Sequence, residues 1–245
     1  MAEVDSKILE GAQARLLERR QSQKVTQPLT RLTTHSEMKK LGTHKIGVVS
    51  FPDEEERPKK VNWMRRCGVP TRYETFSLDT YGGNDALVEL LRSHIHSEDS
   101  ITLCGNTGCG KTHLAVGMLA EFIKRNTDAV FITVPELLLR IRASFGERAT
   151  LTEEELIDQY TSRSLLVLDD LGAEKSTDFS ITTLYLIIDR RNRYGRKTII
   201  TTNFMSLEAV EEGLGARISS RLADSKIIQI TTMPDYRKKR GNHAQ

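Results

Sequence analysis

Eight consecutive residues, Gly105, Asn106, Thr107, Gly108, Cys109, Gly110, Lys111 and Thr112, read GNTGCGKT and fit the pattern GxxxxGK[ST]. The glycines let backbone N–H groups converge on phosphate oxygens where side chains would obstruct them. A helix starting at the loop adds the positive end of its dipole. Lys111 is placed to reach the β- and γ-phosphates of ATP, and the Thr112 hydroxyl to hold Mg²⁺. His113 follows in the same turn and is counted with the nucleotide contacts. A glycine-rich turn that binds nothing is the bland alternative, but a strand before and a helix after the loop speak against it. What the nucleotide is spent on stays open, since kinases, GTPases, motors and loaders share such loops.

Three further stretches can complete the chemistry. In LLVLDD, four apolar residues bury a strand and Asp169 emerges at its end, where it can hold the hydration shell of Mg²⁺. Asp170 is then placed to polarise a water attacking the γ-phosphate. In IITTN, Asn203 ends another strand and can orient that water. In ARISSRL, Arg217 and Arg221 share one helix face through i, i+4 spacing. If that face meets a neighbouring subunit, an arginine can reach across to the γ-phosphate; otherwise it is a solvated face.

These residues need a scaffold, and from about residue 71 apolar strands alternate with amphipathic helices. SITLC, AVFITV, SLLVLDD, KTIITTN and SKIIQI read as strands. NDALVELLRSHI, KTHLAVGMLAEFIKR, PELLLRIRASF, LTEEELIDQYT, SITTLYLIIDRRNRY and LGARISSRL read as helices, with Thr152 as a cap and Gly195 as a stop. The alternation predicts a parallel α/β sheet with helices on both faces, whose ligands sit at the carboxyl ends of the strands. Every candidate residue above falls at such an end.

Residues 1–65 read differently. Val4, Ile8, Ala12 and Leu16 recur at i, i+4 spacing and predict one amphipathic helix; polar sequence and the charge-dense linker PDEEERPKK follow. Residues 1–70 hold 14 Lys/Arg against 9 Asp/Glu, a balance of +5 in a chain whose total is +3. A basic tail can meet nucleic acid or an acidic protein face, or simply be solvated. The expected division is an N-terminal interaction segment, 1–65, and a nucleotide-binding domain, 66–245. Cys67, Cys104 and Cys109 form no CxxC pair, which points to free thiols in a reducing cytoplasm. No apolar run approaches the ~20 residues of a membrane span, and the N-terminus lacks a secretory h-region. The two histidines of HIH at 94–96 fall on different helix faces, against a metal site.

Taken in order, GNTGCGKT, LLVLDDLGAEKSTDF, IITTNF and GARISSRL resemble the AAA+ ATPases of the DnaC/IstB group, the bacterial helicase loaders and transposition helpers related to the initiator DnaA. CGVPTRYETFSLDTY is similar to the segment that precedes the group's ATPase core and is expected against the adenine. The resemblance covers roughly residues 66–237. It implies the superfamily's parallel strand order and self-association through ATP sites shared between subunits. It carries Asp169 over as the metal residue, Asp170 as the catalytic acidic residue and Asn203 as the first sensor. Arg221 becomes the arginine finger, with Arg217 supporting it, and Arg237 falls where some loaders have a second sensor. One departure stands out: many superfamily members have Glu at Asp170, and one methylene less draws the carboxylate back by ~1.5 Å. That suits a slow, switch-like ATPase.

Part of LLLRIRASFGERATLTEEELIDQY resembles the helical insertion that initiators and loaders turn toward DNA. Basic residues with an aromatic suit single-stranded DNA, where charges follow the backbone and a ring stacks on a base. Phe145 is the stacking candidate, with Arg142 beside it and Thr177 and Phe179 lining the same surface; alternatively Phe145 is core. The most specific reading is a DnaC-type loader gripping a replicative DnaB-type helicase through residues 1–65. The rivals are an IstB-type transposition helper, a small-molecule kinase, and a module that holds ATP without hydrolysing it.

Overall fold

A computed structural model describes residues 60–82, 84–126, 128–146 and 149–230. Five strands, β1 (Ile101–Gly105), β2 (Ala129–Thr133), β3 (Leu165–Leu171), β4 (Lys197–Thr202) and β5 (Lys226–Ile230), form one sheet in the order β2-β3-β4-β1-β5. Every pairing is parallel. Parallel strands buried on both faces need near-continuous apolar sequence, which LLVL and TIIT supply. Successive side chains point to opposite faces. Leu165 and Val167 accordingly enter one apolar core with Ile101, Leu103 and Ile199, while Leu166 and Leu168 enter the other with Ile132 and Ile200.

Helices α1 (Lys60–Arg66), α2 (Asp85–His94) and α3 (Lys111–Phe122) contribute to the first core. Trp63 and Met64 are buried in it, so the packed unit reaches back past residue 66. Helix α3 carries Lys111 at its first position and buries Leu114, Ala115, Met118 and Leu119. Gly117 lets it lie close to the chain before it, since a Cβ there would stand 2.8 Å from the Leu78 nitrogen.

The second core is covered by α4 (Val134–Ala143), α5 (Glu153–Thr161), α6 (Asp178–Arg193), α7 (Leu207–Leu214) and α8 (Ala216–Ala223). Thr152 caps α5 as expected, in a reciprocal capping box with Glu155. Several helical boundaries differ from the expectations: α1 was not anticipated, α3 ends at Phe122 rather than at Arg125, and α4 at Ala143 rather than at Phe145. Helix α7, capped by Ser206, was not anticipated; its two turns bury only Val210 and Leu214. Gly215, at φ 92°, separates it from α8, which therefore starts at Ala216 rather than within LGA. Helix α6 begins at Asp178, two residues earlier than SITTLYL suggests, because Thr177 and Ser180 cap it.

Two buried cations tie helix ends to the sheet. Arg191, fully buried on α6, donates to the Thr198 hydroxyl and to the carbonyls of Tyr160, Thr161, Arg163 and Lys197. Lys197 donates to the carbonyls of His94, the last residue of α2, and of Ser97 and Asp99 beyond it. The Phe204 ring, at the end of β4, is wedged between Gly172 and Gly213, where a Cβ on Gly213 would stand 2.6 Å from it. Among the described residues no helix is long and apolar enough to cross a membrane.

Candidate nucleotide site

Strand β1 delivers the loop Gly105–Gly110 to the carboxyl edge of the sheet, and α3 carries the chain away from it. Gly108 and Gly110 take φ values of 84° and 95°, in the left-handed region that favours glycine. Gly110 is also packed against Tyr81, whose ring carbon lies 2.6 Å from where a Cβ would stand. The Tyr81 hydroxyl donates to the Cys109 carbonyl at 3.1 Å. The segment ahead of the core thus props the loop from outside.

Lys111 is buried, and its ammonium donates to the carbonyls of Gly105 (2.7 Å) and Asn106 (2.9 Å) and to Asn203 Oδ1 (2.8 Å). Asn203 in turn donates through Nδ2 to Asp170 Oδ1 at 3.2 Å. Lys111, Asn203 and Asp170 therefore form one connected chain, although 92 residues separate the first two. The Thr112 hydroxyl lies 3.0 and 3.1 Å from the two oxygens of the Asp169 carboxylate.

Asp169 is 4% exposed. Burial pushes its carboxyl above the ordinary value, opposed by the hydroxyls of Thr201 and Thr112 and by the Lys111 charge; the neighbouring Asp170 adds to the rise. The donors gathered here are hydroxyl and carboxylate oxygens, the hard set that suits Mg²⁺ rather than a softer metal. Thr112 and Asp169 would hold it, next to a loop whose glycines leave room for phosphate. Its chemistry there would be to neutralise phosphate charge.

Asp170 has φ 64°, and among the described residues it is the one non-glycine with positive φ. It lies in a β-bulge, because the β3–β4 register steps from Leu168↔Ile200 to Leu171↔Thr202. Thr201 sits opposite the bulge: its hydroxyl donates to Asp169 Oδ1 at 2.7 Å and accepts the Asp170 N–H at 2.8 Å. Sequence reasoning took Asn203 from IITTN and passed over Thr201. A hydroxyl inside a buried strand, which must find partners, was the available signal.

The remaining candidates are distributed as follows. His113 turns toward the preceding segment. Its ring stacks on Phe76 at 4.3 Å, and Nε2 lies 3.0 Å from the Ser77 carbonyl and from the Thr80 hydroxyl. Burial lowers its pKa, against the pull of that carbonyl. Arg221 donates through Nε to Asp189 Oδ1 at 2.8 Å, and Arg193 holds the other carboxylate oxygen. Arg217 lies over the Tyr185 ring. Both finger candidates thus contact α6, and no hydrogen bond joins them to the phosphate loop of their own chain. Phe145, 58% exposed, meets Phe179 edge-on at 5.8 Å, and Arg142 lies 5.0 Å over the Phe179 ring. Phe145 is therefore not core. Thr177, two residues before Phe179, serves as the cap of α6. Arg237 and the Val4–Leu16 helix lie outside the described residues.

Comparison with known proteins agrees with this geometry. The chain is 27% identical over 180 residues to the "Replicative helicase loader DnaC" of Escherichia coli (strain K12), covering 69% of this chain and 72% of that one. The solved structure of the DnaC helicase loader superposes with a TM-score of 0.59 at 24% identity, covering 66% of this chain and 99% of the other. That of DnaI gives 0.57 at 25%, covering 66% and 94%. The fold is that of the AAA+ P-loop ATPases, with five parallel strands between helices. The model of the IstB-like ATP binding proteins matches residues 71–241, most of the chain and all of the site, and the chain belongs to that family.

Proposed function

We propose that this protein is an ATP-dependent loader that binds a replicative DnaB-type helicase and delivers it onto single-stranded DNA, with ATP binding and hydrolysis as the assembly and release switch. The observation that carries the reading is the connected chain Lys111–Asn203–Asp170, beside Thr112 and Asp169, in a protein similar over most of its length to a replicative helicase loader. Lys111 binds the phosphates, Thr112 and Asp169 hold Mg²⁺, and Asp170 with Asn203 orients the attacking water. A short acidic residue at 170 keeps turnover slow, as a switch requires. ATP shifts the equilibrium toward assembly only by binding that state more tightly.

Arg221, with Arg217 beside it, faces α6 rather than its own phosphate loop, an arrangement that suits a finger offered to a neighbouring subunit. Phe145, Phe179 and Arg142 form an aromatic and cationic surface fit for an unpaired strand. Residues 1–65 supply the grip on the helicase, with Ile8 and Leu16 as its apolar anchor.

The test is co-elution of the full chain with the host's replicative helicase in the presence of ATP, measured by light scattering. Wild type should co-elute, and the double variant Ile8→Asp, Leu16→Asp should not. If wild type fails to bind, the loader reading falls, and remodelling of target DNA for a transposase becomes the leading one.

A further inference from the structure

We infer that Thr201 is the positioning residue of the acidic pair: one buried hydroxyl fixes both the carboxylate of Asp169, which would hold Mg²⁺, and the backbone turn that aims Asp170. The inference rests on reading Lys111, Thr112, Asp169 and Asp170 as an ATP site, and it extends that site into the strand behind it.

The register makes Thr201 singular. Strand β4 spends one residue between Ile200 and Thr202 where β3 spends two, Asp169 and Asp170, between Leu168 and Leu171. Thr201 therefore stands alone opposite both. Its single proton goes to Asp169 Oδ1 at 2.7 Å, and a lone pair takes the Asp170 N–H at 2.8 Å. In an unbroken parallel ladder an N–H finds a backbone carbonyl. Here a side chain takes it, and the backbone is released to turn.

The turn is energetically unfavourable unless something holds it. A residue with a Cβ at φ 64° costs on the order of 1 kcal/mol or more, and such geometry persists only where its surroundings over-determine it. Thr201 holds the nitrogen of Asp170, and next to it the Thr202 hydroxyl donates to the Leu171 carbonyl at 2.8 Å, fixing the far side of the bulge. With the turn so fixed, the Asp170 carboxylate meets Asn203 at 3.2 Å.

Thr201 also bears on Asp169 in a way that Thr112 does not. Both hydroxyls bond that carboxylate, but Thr112 belongs to the phosphate loop and Thr201 to the sheet. Only the sheet hydroxyl orients Asp169 independently of what the loop binds. Thr201 itself is 1% exposed, so a hydroxyl there is tolerated only because both of its bonds are made.

Thr201→Val keeps the shape and removes the hydroxyl; Thr201→Ser keeps the hydroxyl and removes the methyl. Full-length chains would be compared by equilibrium binding of a fluorescent ATP analogue across a Mg²⁺ titration, by phosphate release, and by thermal melting. Binding without Mg²⁺ should stay within about twofold for Val. The Mg²⁺ concentration for half-maximal binding should rise, and kcat should fall, each by about 10-fold or more, the range of a lost hydrogen bond to a charged group. Ser should restore both to near wild type.

A Val chain that matches wild type in Mg²⁺ requirement overturns the inference. So does a Ser chain that fails as badly as Val, because packing would then be the cause. If Val does not fold, Thr201→Cys, with only a weak S–H donor, should still raise the Mg²⁺ requirement, and a wild-type value overturns the inference. A wild type that binds nucleotide but releases no phosphate removes the hydrolysis reading alone, and the Mg²⁺ titration still decides. A wild type that binds no nucleotide ends both.

Discussion

Asp169 carries two demands that conflict. The proposed role at Mg²⁺ needs it ionised, yet it is buried, and burial raises its pKa. For a carboxyl whose folded pKa is raised, ionisation works against folding. That cost is absent at a pH below the unfolded value of ~3.9 and is fully present once pH has risen through the folded value. Asp169→Asn should therefore melt higher than wild type without nucleotide or Mg²⁺ at pH 7.5, each 1 kcal/mol gained being worth about 2–4 °C in a domain of this size. The gap should narrow as pH is lowered toward the unfolded value of ~3.9, and the same variant should lose Mg²⁺-dependent nucleotide binding. A constant gap across that range would mean that the carboxyl's charge is not what the fold resists. Stability surrendered at a site for the sake of its chemistry is a common exchange. The residues in this conflict were legible in the sequence because GNTGCGKT, LLVLDD and IITTN are local patterns. Thr201 was not, because its meaning depends on facing two residues of another strand, which only the register reveals.

At the level of elements, strand and helix order was readable from hydrophobic period, and what escaped were joints. Helix α7 is too short and presents too few buried positions to stand out, and α8 is set off from it by a glycine whose backbone angle no composition shows. Arg191 escaped for a different reason: in DRRNR it looks like one more basic residue of a solvated helix end. Helical period places it with Ile187 and Ile188, and that face is buried. Its guanidinium has no carboxylate among its five hydrogen-bond partners and instead gathers four carbonyls and a hydroxyl from the end of α5, the loop after it and the start of β4. Arg191→Met should leave those acceptors unpaired and cost about 1–3 kcal/mol for each one that water does not reach, read as a lower urea midpoint. An unchanged midpoint would show that water replaces the guanidinium without loss.

For the whole molecule, Arg221 is bonded to Asp189 and makes no hydrogen bond to the phosphate loop of its own chain, so the proposed role as a finger requires a second copy of the chain. Arg221 is tied through Asp189 to α6, with Arg193 on the same carboxylate. Arg221→Ala alone should lower turnover by about 10³-fold, and Lys111→Ala alone should abolish it. An equal mixture of the two should regain activity, since one kind of mixed interface joins an intact loop to an intact finger. Phosphate release by the mixture is the measurement; no recovery would mean that Arg221 acts only within its own chain.

Phe204 has a consequence for how this sequence can vary. Its ring fills the space that side chains on Gly172 and Gly213 would otherwise take, so three positions spread over about forty residues behave as a single heritable unit. Gly213 lies inside α7, where alanine is ordinarily the better residue by about 1 kcal/mol. Gly213→Ala should nonetheless destabilise the protein, and Phe204→Leu should turn the same change into a neutral or favourable one, a sign reversal measurable in a double-mutant cycle. Mutational libraries that randomise the three independently will register each as intolerant, although what is inherited is the fit among them.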